Sequence, residues 1–157
     1  MKLTGTNRHS YPKTWARINS LSNRLAARKY AAFKKHGHAD PAAVKAACDP
    51  NSGPDLGIVL LPPGKEGRIN QVTGNPEINE ILVKAFEKGV ITGEQLDRLV
   101  EHELTHWFER AWWAHPHPGE MRGNADVGFK YEGDAYGAGW IPNYGVICRK
   151  VYGGNCH

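Results

Sequence analysis

The stretch from Thr92 to Trp113 constrains the fold most. It opens on Thr92 and Gln95 at capping-box spacing, and Leu96, Leu99, Val100, Leu104, Trp107 and Phe108 then recur along one helix face. A long helix is expected here, and in a chain of 157 residues it must run through the middle of the single core such a length supports. This helix carries the chain's most informative five residues, HELTH, from His102 to His106.

Positions four apart on a helix lie one above the other, so His102 and His106 present two imidazoles to one point. Glu103 projects roughly 100° away from His102 and can reach a water on the open side of an ion held there. Two neutral nitrogen ligands beside a carboxylate base are what HExxH chemistry requires, and Zn2+ is the ion expected. The competing reading is a polar stripe of two solvated histidines. Leu99, Val100 and Trp107 flank the stripe, however, and turn it toward the interior or a cleft, where histidines need partners.

A catalytic zinc usually takes three protein ligands and a water. Glu109 and Trp112 stand where an HxxGxxH continuation would place its glycine and third histidine, so the third ligand comes from elsewhere. His115, His117, Glu120, Asp126, Glu132 and Asp134 follow the motif. The segment FKYEGDAYGAGW, residues 129–140, is the favoured source, with Glu132 as ligand and Asp134 as the alternative. Gly133 would permit close approach to the HExxH helix. If the segment is helical, Tyr136 shares a face with Glu132 and can donate to an oxyanion, and with Glu132 on the metal, Asp134 orients a histidine. His115 and His117 lie in a proline-bracketed loop and are expected at the surface, with substrate contact or transition-state stabilisation as their functional reading.

The remaining chain reads as α+β: several helices against a small sheet or hairpin. Trp15, Ile18, Leu21, Leu25 and Phe33 give near-helical spacing from Lys13 to about Lys35, and Asp40-Pro41 starts a short helix to about Cys48. Residues 56–64 read as a strand, with 68–72 as its hairpin partner. Asn75-Pro76 is expected to cap a helix that stops at Gly89, 114–126 to form a loop, 129–138 a short helix and 145–152 a strand. Residues 1–12 read as a loose tail to a single domain spanning 1–157, and a monomer is expected.

The net charge of +4 owes much to residues 23–38. A solvated helix face explains it, and neither an aromatic-basic RNA-binding signature nor zinc-finger spacing is present, so nucleic acid is not expected as a partner. No run reaches the roughly 18–20 apolar residues of a membrane span, and the N-terminal residues lack the apolar stretch of a secretory signal peptide. Of the three cysteines, Cys148 can pair with Cys156 or with Cys48, or all can remain free thiols. Trp107, Trp112, Trp113, Trp140 and Tyr144 are expected in the core, with a cleft wall as the alternative.

HELTH followed by YEGDAYG resembles the small HExxH zinc metallopeptidase domains, gluzincin-like, found as toxin or effector modules of bacterial secretion systems, including those attached to type VI spike, PAAR and Rhs proteins. The resemblance covers about residues 95–140. It implies a mainly helical zincin-like domain around a central HExxH helix, with His102, His106 and Glu132 as ligands and Glu103 as base. A weaker resemblance is to aspzincins, whose GTxDxxYG stretch GDAYG matches in part; it lacks the threonine, and Asp134 stands one residue too close to Tyr136.

Zinc-dependent hydrolysis of peptide or amide bonds is therefore the expected activity. The expected substrates are peptide, protein or peptidoglycan, with export by a non-classical secretion system, action in a target-cell periplasm, and a cognate immunity protein as partner. The rival expectation is a non-catalytic basic module binding nucleic acid or a partner protein, its HExxH accidental or degenerate.

Overall fold

The computed structural model describes residues 1–3, 7–123 and 125–154. The helix expected from Thr92 is present as α6 (Gly93–Trp113), with both capping-box bonds formed: Thr92 N–H donates to Gln95 Oε1 at 2.8 Å and Gln95 N–H to Thr92 Oγ1 at 3.1 Å. Leu96, Val100 and Leu104 are fully buried along it, so α6 forms the floor of the core.

Before it come β1 (Lys2–Leu3), α1 (Asn7–Ser10), α2 (Pro12–Asn19), a 3-10 turn (Leu21–Arg24), α3 (Ala27–Gly37), α4 (Pro41–Cys48), β2 (Asp55–Val59), β3 (Gly67–Ile69), β4 (Pro76–Asn79) and α5 (Glu80–Glu87). After it come α7 (Val127–Tyr136) and α8 (Tyr144–Tyr152). The mainly helical α+β class is as expected. The strands form one four-stranded sheet in the order β1-β2-β4-β3, with β1, β2 and β4 parallel and β3 antiparallel to β4.

Five sequence expectations change. The single helix over 13–35 is broken into α2, the 3-10 turn and α3. Asp97 of α6 gathers Arg17 and Arg24 from the first two, with its oxygens 2.6–3.0 Å from their guanidinium nitrogens. The 56–64 strand does not pair with 68–72; β3 pairs instead with β4, Arg68 facing Glu77 at 2.6 Å. Asn75-Pro76 opens the buried strand β4 rather than a helix, and the true N-cap is Asn79, whose side chain accepts from Ile81 N–H. Residues 145–152 are helix α8, not a strand: Ile147, Cys148 and Val151 are its buried residues, which is helical spacing. At the N-terminus, Lys2 and Leu3 pair with Asp55 and Leu56, and Leu3 is buried, so these residues do not belong to a loose tail.

Cys48 is a free thiol, so it does not pair with Cys148; burial pushes its pKa up to about 12, which makes it inert. Cys156 lies outside the described residues.

Behind α6, the α3–α6–α7 junction encloses a charged group. Glu101 is wholly buried and accepts from Lys29 Nζ at 2.8 Å, from the Tyr131 hydroxyl at 2.9 Å and from the Tyr136 hydroxyl at 2.5 Å. Removing one member of such a group leaves a buried charge unpaired. Lys29→Ala is therefore expected to lower unfolding free energy by about 3–5 kcal/mol. Lys35→Ala, which breaks the exposed pair with Asp134, is expected to change it too little to measure. Urea denaturation of the two variants checks the contrast.

Candidate metal centre

The two histidine rings of α6 lie one helical turn apart, with centroids 5.1 Å apart and planes tilted by 50°. His102 is buried and its Nδ1 lies 2.8 Å from Glu132 Oε1. A carboxylate only accepts, so Nδ1 carries the proton and the Nε2 lone pair is left free. That Nε2 faces Asp126 Oδ1 at 3.4 Å, and His106 Nε2 faces the same oxygen at 3.1 Å.

These three ligand atoms lie within 4.8 Å of one another, and they form the one such group among the described residues. Ligands about 2.0–2.1 Å from a tetrahedral ion are about 3.3–3.4 Å apart, so two imidazoles and a carboxylate fit a zinc-type centre with a fourth position left open. The donor chemistry points the same way. Acceptor lone pairs converging on one point repel unless a proton or a cation lies between them.

Asp126 is held in place by its role as N-cap of α7, where Oδ1 also accepts from Phe129 N–H at 3.0 Å. Burial works to raise this carboxyl. The close approach of the His106 imidazole and the bond from Phe129 N–H outweigh it and hold Asp126 well below the usual carboxylate range. The loop before it is tied back to α6 by Arg122, which grips the buried Glu109 with two bonds of 2.9 and 2.8 Å. The start of α7 then presses directly on the metal helix. A Cβ on Gly128 would lie 2.3 Å from His102 Cδ2, so only glycine admits the ring, while Phe129 meets its edge at 5.0 Å. Glu132, one turn on, is fixed in turn by Trp140 N–H at 2.8 Å on its other oxygen.

The centre opens into a cleft of about 550 Å³ between α6 and the edge strand β3. Glu103 lines it but is itself buried, and burial, assisted by Asp126 and Glu66 against the opposing pull of His102 and His106, pushes its pKa up to about 7. The strand comes as close as sterics allow: a Cβ on Gly67 would lie 2.6 Å from the Glu103 carboxylate.

His102, His106 and Glu103 are therefore brought together as the motif implies, but the acidic segment is used differently. Glu132 sits on the Nδ1 side of His102, across the ring from the nitrogen that faces Asp126, and makes the histidine contact expected of Asp134. Asp134 itself is at the surface, bridged to Lys35 at 2.7 Å and His36 at 2.8 Å. Asp126, one of the downstream acids, is the carboxylate that lies beside both Nε2 atoms. Tyr136 is turned into the Glu101 group. His115 and His117 lie beside a separate apolar hollow with Trp112, on whose indole His117 stacks at 3.6 Å. Of the aromatic side chains, Phe129 alone lines the cleft, so the tryptophans do not wall it. Gly133, expected at the close approach, has open space beside it, and Gly128 and Gly67 hold that role instead. The available signal for Asp126 was its place before Val127-Gly128-Phe129, as an N-cap.

Two substitutions isolate this geometry. Glu132→Gln is expected to weaken metal binding by about 10–100-fold, measured by competition with a chromogenic chelator. Gly128→Ala is expected to weaken it at least as much while circular dichroism retains the helical signal.

Among the described residues no helix is long and apolar enough to cross a membrane. Residues 7–137 match the family described as metallopeptidase toxin 3. No curated protein and no solved structure matches the chain.

Proposed function

The chain belongs to the metallopeptidase toxin 3 family, and from that premise we propose that it is a zinc peptidase of the HExxH type. In this reading His102, His106 and Asp126 hold the ion, Glu132 orients His102, and Glu103 is the general base. The observation that carries the proposal is the convergence of two Nε2 atoms and Asp126 Oδ1 within 4.8 Å on the wall of a cleft that Glu103 shares.

When bound, the ion supplies Lewis acidity toward water and toward the scissile carbonyl. The chain's residues do the rest. Glu103 takes a proton from the attacking water and returns it to the departing amine. Its position in a dry wall keeps it basic enough for the first transfer, and the nearby cation favours its ionised form. β3 is the sheet's edge strand, and Gly67 and Ile69 line the cleft. An extended substrate backbone can therefore pair along β3. β2, by contrast, is enclosed between β1 and β4.

The substrates proposed are protein or the peptide stems of peptidoglycan in a target cell, with delivery by a secretion system such as type VI and a cognate immunity protein in the producer. The aromatic-poor cleft wall and the edge strand beside it support peptide over glycan as the part recognised.

Purified protein is expected to carry one zinc per chain by elemental analysis. Glu103→Gln is expected to retain that zinc and the melting temperature while hydrolysis of an unfolded protein such as casein or of peptidoglycan stem peptides falls by about 10²–10⁴-fold. A metal-free preparation with unchanged melting temperature on zinc addition would refute the proposal.

A further inference from the structure

Beyond the metal group, the cleft is defined by what remains unpaired on its walls. Arg110 follows His102 and His106 at the next four-residue step of α6, so the three side chains share one stripe along the cleft. The guanidinium is half-buried and donates one long bond, 3.3 Å, to the Asn70 carbonyl at the end of β3. It has no carboxylate partner among the described residues, whereas the other arginines of the lining do: Arg68 pairs with Glu77 and Arg122 with Glu109.

Of the carboxylates on the lining, Glu109 is neutralised by Arg122, while Glu103 and Asp126 belong to the metal group. Glu66 interacts electrostatically with His102, Glu132 and Asp126, which puts it at the metal end of the cleft. Arg110 is thus an uncompensated cation, set between strand and helix, with donors free and their directions limited by the bond to Asn70. Arg122 lines the same cleft, one guanidinium nitrogen unused by Glu109 and the side chain 60% exposed.

We propose that Arg110, with Arg122 on the same wall, is the specificity-determining pocket of the cleft and selects a peptide carrying a carboxylate side chain near the scissile bond. The proposal rests on the peptidase reading for the word scissile, but the binding preference stands without it. Arg110 lies one helical turn past His106, about 6 Å along the axis. An extended peptide advances about 3.3 Å per residue, so the selected carboxylate belongs to a residue within about two of the bond cleaved. Arginine suits the task because its planar fork matches a carboxylate with two parallel bonds.

The test uses zinc-loaded protein and peptides with acetylated N-termini and amidated C-termini, so that no terminal charge competes. Each peptide is paired with its Glu→Gln twin at every position of a fixed unfolded sequence. Cleavage is followed with the native chain, and binding with Glu103→Gln by calorimetry. At one position the Glu peptide is expected to exceed its Gln twin by about tenfold or more, with the advantage shrinking as salt rises. Arg110→Gln is expected to bring that ratio to one and Arg110→Glu to invert it toward a Lys-containing peptide; zinc content measured on each variant separates this from loss of the metal site.

Cleavage with no preference at any position, or a preference that survives in Arg110→Gln, overturns the pocket and leaves the peptidase reading standing. No cleavage, but Arg110-dependent binding of the Glu peptides, supports the pocket and overturns the peptidase reading. Neither cleavage nor preferential binding overturns both.

Discussion

Helix α7 begins against the ring of His102, at a distance only a glycine at position 128 permits. The metal centre depends on that contact. It brings the capping carboxylate of Asp126 to the Nε2 atoms of both histidines and, one turn later, sets Glu132 on the opposite nitrogen of His102. In the proposed centre one short helix therefore supplies both a ligand and the group that fixes a ligand's tautomer. A displacement of α7 by one ångström would loosen both. The Lys29–Glu101–Tyr131–Tyr136 group stands where such a displacement would have to begin, because it joins α7 to α3 and α6 behind the site. Burying that charge group adds little net stability, since desolvation opposes it. Its effect is to define a single registration of the three helices.

The sheet contributes from the other side. Asn79, fully buried at the end of β4, donates to the carbonyls of Leu61 and Lys65 and so shapes the turn leading into β3. That turn brings Gly67 against Glu103. Glu103, the proposed base, is thus enclosed between the helix of the two histidines and a strand edge, and burial there raises its affinity for a proton. The cleft and the basicity of its carboxylate have one cause, the close approach of β3 to α6.

The central helix, its cap and its HELTH triad were legible in the sequence because they are local: periodicity and a four-residue spacing suffice. The α4 cap at Asp40 and the loop over 114–126 were legible for the same reason. What sequence reasoning missed depends on contacts distant in the chain. Asn75-Pro76 has the chemistry of a helix cap, yet pairing with β2 and β3 draws Pro76–Asn79 into the sheet and passes the cap to Asn79. The run of branched residues in α8 suggested a strand, although its buried positions are helical. Glu132 was the strongest ligand candidate by composition. Only the position of α7 reveals that its carboxylate reaches Nδ1 and that Asp126, an unremarked cap at the helix start, reaches Nε2. The family resemblance noted for residues 95–140 and the family match over 7–137 agree on a metallopeptidase toxin.

Anomalous diffraction at the zinc absorption edge, from crystals grown with zinc, tests the centre most directly. One peak is expected, bonded at about 2.0–2.2 Å to His102 Nε2, His106 Nε2 and a carboxylate oxygen of Asp126, with Glu132 still on His102 Nδ1. A peak ligated by Glu132 or Asp134 in place of Asp126, or no peak between the two imidazoles, would contradict the account.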